Sequence, residues 1–165
     1  MKAYPPLEET IPLDKSLKGL LLDQLSLNGH AQMAADAMML QKVKNHSDLE
    51  FLIRFYHWKG PWLSIGHNQT EIPTRWVNLQ KEKKICITRR ASGGGAVLHS
   101  GGLTYSLAWK SPPFKKQKAY LRANEWLISC FKEIGITLKS GHESTRTISQ
   151  NCFASKSQAD LLDES

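Results

Sequence analysis

The sequence lacks several features that would assign a protein class at once. No apolar run reaches the length needed to cross a membrane, because Lys, Arg or Gly interrupts the longest candidates. The three cysteines, Cys86, Cys130 and Cys152, are an odd number without short spacing, which indicates neither a disulfide framework nor a zinc site. The N-terminal residues are too acidic and proline-rich for a secretory signal. We therefore expect a cytoplasmic protein with no membrane partner and no bound metal.

Internal repeats and low-complexity tracts are also absent, so the sequence predicts neither a solenoid nor a disordered tail. Its 165 residues are enough for one domain with a substantial core. Residues 1–27 contain prolines that oppose early helix formation, and we interpret them as an N-terminal leader. The folded domain is predicted to span residues 28–165.

The chain carries 22 basic and 15 acidic residues, a formal net charge of +7. That charge suits an acidic partner, although a merely basic surface would give the same balance. Basic residues cluster only at 81–84 and 115–118, and neither cluster has the interleaved aromatic residues of a single-strand-binding surface. Nucleic acid is therefore not the expected partner.

The first half of the chain predicts helices and strands in irregular order. Residues 30–45 predict a helix, whose apolar positions are Ala31, Ala34, Ala35 and Met38. Residues 50–58 alternate as a strand, and 62–66 follow Gly60 and Pro61 as its hairpin partner or its neighbour. A helix is then expected with Pro73 in its first turn.

The second half predicts strands at 84–88 and 103–110, then a helix over about 117–134 that ends at Gly135. The apolar positions of this helix are Leu127, Cys130, Phe131 and Ile134. Residues 136–140, 151–155 and 159–165 look like further strands. Strands outnumber helices and do not alternate with them, which favours an α+β fold with a mixed, mainly antiparallel sheet and helices packed on it.

A glycine-rich stretch, "RRASGGGAVLHSGGLTYSL" at 89–107, separates two of these strands. Its three consecutive glycines permit positive φ angles and allow a ligand to approach the main chain. The two arginines before them could donate hydrogen bonds to a phosphate or carboxylate. The stretch lacks the Gly-Lys-Ser/Thr ending of a P-loop and the glycine spacing of a dinucleotide site. A ligand-binding loop and a flexible hairpin tip both remain open from these residues.

"RRASGGGAVLH" followed by "LTYSL" resembles the signature loop of the biotin/lipoate protein ligase and octanoyltransferase superfamily. Three other segments agree with that superfamily in order along the chain: "GHAQMAADAMMLQ", "IRFYHWKGPWLSIGHNQ" and "NCFASKSQADLLDES". The resemblance covers residues 30–165 and implies the α+β fold shared with class II aminoacyl-tRNA synthetases. It also implies an acyl- or acyl-adenylate-binding site formed by Arg89, Arg90, Ser92, Gly93, Gly94, Gly95, His99, Ser64, Gly66 and Gln69.

The superfamily contains cysteine-dependent octanoyltransferases and ATP-dependent ligases, and Cys152 bears on the choice. By resemblance Cys152 is the nucleophile that carries an octanoyl group from acyl carrier protein to a lipoyl domain of a 2-oxoacid dehydrogenase or glycine-cleavage protein. That reaction needs no cofactor, whereas a ligase would use ATP and Mg²⁺. The alternative is that Cys152 is a small core residue, which is how we interpret Cys86 and Cys130.

Two departures from the superfamily pattern leave alternatives open. Ser92 and Gly95 resemble the ligase form of the loop more than the form of many transferases. The superfamily also continues into a Gly-x-Lys strand, whereas this sequence ends at Ser165. From that difference we expect an incomplete sheet and weak or absent activity. His99 is expected either to orient a substrate or to cap a turn, and a non-catalytic acyl- or lipoyl-binding module is the other alternative.

Overall fold

The computed structural model describes residues 18–22, 26–112, 116–141 and 160–163. Within these residues the elements follow the chain in this order: β1 (Gly19–Leu22), α1 (Gly29–Asn45), β2 (Phe51–His57), β3 (Trp62–Ile65), α2 (Thr74–Lys81), β4 (Cys86–Arg89), β5 (Val97–His99), β6 (Leu103–Trp109), α3 (Lys116–Glu133), β7 (Leu138–Ser140) and β8 (Leu161–Asp163). None of the helices in this part of the chain has the length and apolarity required to span a bilayer.

The strands form three sheets, in the orders β1-β2-β6, β4-β3-β5 and β7-β8. β1 and β4 pair in parallel with their neighbours, whereas β2–β6, β3–β5 and β7–β8 are antiparallel. The predicted α+β class is therefore confirmed, with mixed sheets. The predicted strand at 151–155 and most of the predicted leader lie outside the described residues.

The prediction that residues 50–58 and 62–66 are paired or neighbouring strands is wrong. β2 pairs with β1 and β6, while β3 belongs to the second sheet. Gly60 has a φ of +86°, and the indole Nε1 of Trp62 donates to the carbonyl of Lys59 at 3.0 Å. Trp58 and Trp62 pack with ring centroids 6.3 Å apart. The Gly-Pro corner therefore carries the chain from one sheet to the other.

Helix α1 forms where it was predicted, but it buries a different face. The side chain of Asn28 caps its start by accepting from the backbone NH of Ala31 at 2.9 Å. Met38, in the predicted apolar seam, is 70% exposed, whereas Gln32, Met39 and Val43 are buried. The apolar pattern misses this face because one of its buried members, Gln32, is polar and is paired with polar groups of the sheet.

The main core lies between α1 and the first sheet. Met39 and Val43 of the helix pack with Leu49, Leu52 and the small Ala108 of β6. On the opposite face of the same sheet, three rings stack edge to face or tilted, namely Phe55, Tyr105 and Trp126. This sheet is therefore covered by α1 on one face and by α3 on the other.

Helix α3 ends where the sequence predicts, and α2 begins one residue later than expected. Pro73, expected in the first turn of α2, immediately precedes that helix, and its carbonyl accepts from the NH of Trp76 at 2.9 Å. Gly135, with a φ of +83°, follows α3 and donates to the carbonyl of Lys132.

The interpretation of Cys86 and Cys130 as core residues is wrong, because both are exposed. Cys86 begins β4, which is an edge strand of its sheet. Cys130 lies in the last turns of α3, one turn past Trp126, and Ile134 beyond it is 70% exposed. The apolar repeat of this helix therefore continues past the turns that are packed on the sheet.

Candidate functional site

Strand β3 supplies the fixed base of the candidate site. Its residues Trp62 and Ser64 share one face of the second sheet, and Leu63 and Ile65 share the other, because successive side chains of a strand alternate. Ser64 is 1% exposed and lies beside Val97 of β5, to which its backbone is paired. The buried hydroxyl of Ser64 is therefore held at the floor of the site by regular structure.

Arg90, directly after β4, connects this floor to the glycine loop. Its Nη1 donates to the carbonyl of Ser64 at 2.8 Å and to the Ser64 hydroxyl at 3.1 Å. Its Nη2 donates to the carbonyls of Gly93 at 3.0 Å and Gly95 at 2.5 Å. One guanidinium thus holds both ends of the three-glycine segment against β3.

Arg89 performs the same task for the loop that follows β3. Its Nη1 donates to the carbonyls of Gly66 at 2.7 Å, His67 at 3.1 Å and Gln69 at 2.8 Å. The structure therefore gives both arginines a scaffolding role through backbone carbonyls. Their predicted role in binding an anionic ligand stays a prediction.

The two loops held by these arginines touch each other. The NH of His67 donates to the carbonyl of Ser92 at 2.9 Å. A Cβ atom at Gly66 would lie 1.9 Å from the carbonyl oxygen of Gly94, and Gly94 itself has a φ of +94°. Glycine at positions 66 and 94 is therefore explained by close approach and by backbone conformation.

Gly93 differs from those two glycines. A Cβ atom placed there would meet nothing within 4 Å, and its φ is outside the left-handed region. The described residues therefore tolerate a side chain at position 93. The open flank of the loop beside Gly93 is space that a ligand can occupy.

His99 closes the opposite side of the site. Its ring stacks on Trp58, with centroids 4.0 Å apart and planes 13° from parallel, and its Nε2 lies 2.8 Å from the Ser64 hydroxyl. Trp58 is fixed in turn by donating from Nε1 to the Thr104 hydroxyl at 3.0 Å. Burial and the neighbouring positive charge of Arg90 lower the pKa of His99 from 6.5 to about 4. The imidazole is therefore neutral at physiological pH.

The side-chain amide of Gln69, in the loop between β3 and α2, is in an unusual environment. Both polar atoms of its side chain are buried, and neither has a hydrogen-bond partner among the residues that the structure describes. A buried amide without partners costs about 1–3 kcal/mol, which singles out this side chain as one that a ligand or an ordered water would satisfy.

The other face of the second sheet carries an apolar cavity of about 230 Å³ beneath α2. Its lining residues are Leu63, Arg75, Trp76, Leu79, Ile85, Ala96 and Leu98. Because Leu63 and Ser64 point to opposite faces of β3, this cavity is separated by the sheet from the Ser64 hydroxyl.

The structure brings together ten of the predicted site residues around β3 and the glycine loop, and it adds one that the sequence analysis did not assign. Trp58 lies in the quoted "RFYHW" segment, and its position just before the Gly-Pro corner was the available signal. Cys152 lies outside the described residues, so its predicted role as a nucleophile stays a prediction.

Comparison with known proteins agrees with this geometry. The family model of the lipoyl protein ligase A/B catalytic domain matches residues 28–158. The chain belongs to this family. Among the curated members, octanoyltransferase LipM of Carboxydothermus hydrogenoformans is 30% identical over 145 residues, which cover 85% of this chain and 54% of the relative. The chain spans about half the length of the curated relatives it matches.

Solved lipoate protein ligases share the fold of this family member. The ligase of T. acidophilum with bound lipoic acid superposes with a TM-score of 0.70 at 22% identity, covering 89% of this chain and 58% of that chain. A bipartite lipoate protein ligase of Thermoplasma acidophilum, studied with its E2 lipoyl domain, gives a TM-score of 0.64 at 25% identity and covers 76% of this chain and 49% of that chain. The fold expected from the signature loop is thereby confirmed.

Proposed function

We propose that this protein acts in protein lipoylation by transferring an octanoyl group to the lysine of a lipoyl domain. Membership in the lipoyl protein ligase A/B family supports the reaction class. The octanoyltransferase name of the curated relatives supports octanoyl as the group that is moved.

One observation carries the proposal at the level of atoms. Arg90 holds the Ser64 hydroxyl and the Gly93 carbonyl at once, so Gly93 and the Ser64–His99 pair are joined through a single guanidinium. An acyl thioester needs main chain close by, where a Cβ atom would clash, and neutral donors for its carbonyl oxygen. The open flank of Gly93 offers the first, and the neutral imidazole of His99 on β5 can offer the second.

The proposed chemistry proceeds in two balanced steps through Cys152. In the first, the Cys152 thiolate attacks the octanoyl carbonyl, a new carbon–sulfur bond forms, and the carrier thiolate leaves and takes up a proton. In the second, the ε-amine of the acceptor lysine attacks the octanoyl-cysteine. An amide bond forms, the Cys152 thiolate is released, and the proton lost by the amine goes to solvent.

The proposed partners follow from this chemistry and from charge. The donor is octanoyl-acyl carrier protein, and the acceptor is a lipoyl domain of a 2-oxoacid dehydrogenase or glycine-cleavage protein. The E2 lipoyl domain studied with the Thermoplasma ligase supports a lipoyl domain as the acceptor class. The net charge of +7 favours association with acidic carriers.

Octanoyl transfer from a thioester needs no nucleotide, because the acyl group is already activated. An ATP-dependent ligase would instead place nucleotide phosphates against the main chain of residues 92–95, with Mg²⁺ beside them. In the described ranges, no group of three or more His, Cys, Asp or Glu side chains is suited to hold a metal by itself, so the phosphates would have to supply ligands.

The decisive experiment measures transfer and the covalent intermediate together. The 165-residue chain is incubated with octanoyl-acyl carrier protein and an unmodified lipoyl domain, and both proteins are followed by intact mass spectrometry. We expect slow transfer and a low yield of octanoyl adduct on the enzyme, which Cys152→Ser removes and which Cys86→Ser, a change at an exposed cysteine, retains. Modification that requires ATP and free lipoate would identify a ligase. Binding without any adduct would identify a non-catalytic module.

A matched glycine pair tests the position of the ligand. Gly93→Ala should leave the free energy of unfolding within about 0.5 kcal/mol of the original value, because its Cβ meets no atom. It should weaken binding of S-octanoylpantetheine at least about tenfold if acyl ligand lies against this flank. Gly102→Ala is the control, since its Cβ is equally unobstructed in the next turn of the chain, between β5 and β6. Equal affinity of the two variants for S-octanoylpantetheine would show that the acyl ligand does not lie against the Gly93 flank.

A further inference from the structure

The buried hydroxyl of Ser64 has two polar neighbours that determine the direction of its hydrogen bonds. One is Nη1 of Arg90 at 3.1 Å, and the other is Nε2 of His99 at 2.8 Å. A guanidinium nitrogen can only donate, so the bond from Arg90 occupies a lone pair of the Ser64 oxygen. The hydroxyl hydrogen of Ser64 still needs an acceptor.

Nε2 of His99 is the acceptor that the described residues offer to this hydroxyl. If Nε2 carried a hydrogen, both neighbours would donate to Ser64 and its own hydrogen would be buried without a partner, because the residue is 1% exposed. A buried donor without an acceptor costs about 1–3 kcal/mol. The hydrogen bonds therefore run from Arg90 to Ser64 and from Ser64 to His99.

This direction assigns the tautomer of His99. Its Nε2 accepts, so the neutral ring carries its hydrogen on Nδ1. Among the described residues, nothing forms a hydrogen bond with Nδ1, while the stack on Trp58 holds the plane of the ring. Protonation of both nitrogens would place a hydrogen on Nε2, where it faces the Ser64 hydroxyl, and would add a positive charge near Arg90. Both effects disfavour the charged ring, in agreement with the lowered pKa of His99.

We propose that His99 donates a hydrogen bond from Nδ1–H to the carbonyl oxygen of the bound acyl thioester, and that Arg90 and Ser64 position it by fixing its tautomer. The identity of the ligand rests on the proposed function. A neutral N–H suits an uncharged carbonyl that gains negative charge during attack, because it stabilises the oxyanion without giving up its proton. In this arrangement the Ser64 hydroxyl orients the ring of His99, and no proton is transferred between the two residues.

The first experiment uses the chain without ligand. Nitrogen-15 spectra of the histidine rings at neutral pH should show His99 with its hydrogen on Nδ1 and should show no titration of this ring until the pH approaches 4. Ser64→Ala should raise the pKa of His99 and shift its hydrogen towards Nε2, because the bond that stabilises the neutral ring is lost. A hydrogen on Nε2 in the unaltered chain would overturn the assignment.

The second experiment adds S-octanoylpantetheine labelled at the carbonyl carbon. Infrared spectra should show the carbonyl stretch at lower frequency when the probe is bound, and His99→Phe, which keeps an aromatic ring against Trp58, should abolish that shift and weaken binding about tenfold. Bound probe with an unshifted carbonyl would overturn the proposed bond while leaving octanoyl transfer in place. Failure of the unaltered chain to bind the probe would overturn the acyl ligand and the proposed function together. If His99→Phe does not fold, the carbonyl frequency and tautomer of the unaltered chain still decide the question.

Discussion

Two arginine-centred clusters in this molecule use the same side chain for opposite purposes. Arg54, on β2, is 4% exposed and lies between α1 and the first sheet. It donates to the side chain and carbonyl of Gln32 at 2.6 and 2.8 Å and forms an ion pair with Asp36 at 2.7 Å. Its guanidinium also lies 3.9 Å from the ring centroid of Tyr56. This cluster joins a helix to a sheet.

The cluster around Arg90 is built mostly from loop carbonyls and keeps unsatisfied groups at its margin. Both polar atoms of the Gln69 amide are buried without a hydrogen-bond partner within the described ranges, and the flank of Gly93 is open. The comparison shows that a buried arginine with side-chain partners belongs to the fold, whereas the one that organises loop main chain marks the site.

Breaking the Arg54 cluster should have the largest effect on stability. We expect Arg54→Met to lower the free energy of unfolding by about 3 kcal/mol, because Asp36 would keep a partly buried charge and Gln32 would lose two hydrogen bonds. Urea denaturation of the purified variant measures this loss. The double variant Arg54→Met, Asp36→Leu should recover part of it, and a single-variant loss below about 1 kcal/mol would mean that the cluster is not structural.

Arg90→Lys should separate stability from binding. A lysine ammonium cannot span the Ser64 hydroxyl and the Gly93 and Gly95 carbonyls as the planar guanidinium does. We expect a loss of about 1–2 kcal/mol in stability and at least about a tenfold loss in affinity for S-octanoylpantetheine, measured by calorimetry. Arg75→Lys, at an exposed position of α2, is the control that should change neither quantity. Full affinity in the Arg90 variant would show that the loop needs no guanidinium.

Acid should weaken the fold through His99. Its pKa of about 4 in the folded chain lies below the ordinary value of 6.5. Between about pH 6.5 and 4 the unfolded chain therefore binds a proton that the folded chain does not, and stability falls as the pH falls through this window. We expect a loss of order 1 kcal/mol, which His99→Phe should remove from the pH profile of chemical denaturation. An identical slope in this window for both proteins would contradict the shift.

The smallest effect, and one of opposite sign, is expected at Gln69. Replacing its unpartnered amide by an apolar side chain of similar size, as in Gln69→Met, should stabilise the free protein by up to about 1 kcal/mol. Thermal unfolding measures the gain, and Gln80→Met, at an exposed position of α2, should give none. A destabilised Gln69→Met protein would mean that ordered water satisfies the amide in solution.

Local signals in the sequence were sufficient for most of the elements. Asn28 before α1, Pro73 before α2 and Gly135 after α3 act through bonds within a turn or two, so the ends of the helices were predictable. The signature loop was equally readable, because its arginines and glycines lie in one stretch. The expected binding of a ligand by these arginines stays a prediction. The structure adds that Arg90 holds carbonyls of its own loop and that Arg89 holds carbonyls of the loop after β3.

Contacts between residues that are far apart in the sequence could not be predicted in the same way. The exposed Cys130 was assigned to the core because its apolar neighbours repeat at helical spacing, and the exposed Cys86 because it lies on a predicted strand. Neither signal says where the partner surface ends. The buried face of α1 was missed because Gln32 becomes a core residue only when Arg54, 22 residues later, reaches it. Periodicity records the polarity of a side chain and not the partner that satisfies it.

The sequence by itself therefore determined the family, the α+β class, the helix ends and the residues of the glycine loop. Each of these depends on residues that are close along the chain. Only the tertiary structure decided that β2 and β3 belong to different sheets, that Gly66 must be glycine because Gly94 presses on it, and that Ser64 and His99 share a hydrogen bond. The last two features arise where segments 28 to 35 residues apart in the sequence come into contact. Burial at such contacts requires polar groups to form hydrogen bonds with residues that are distant in the sequence.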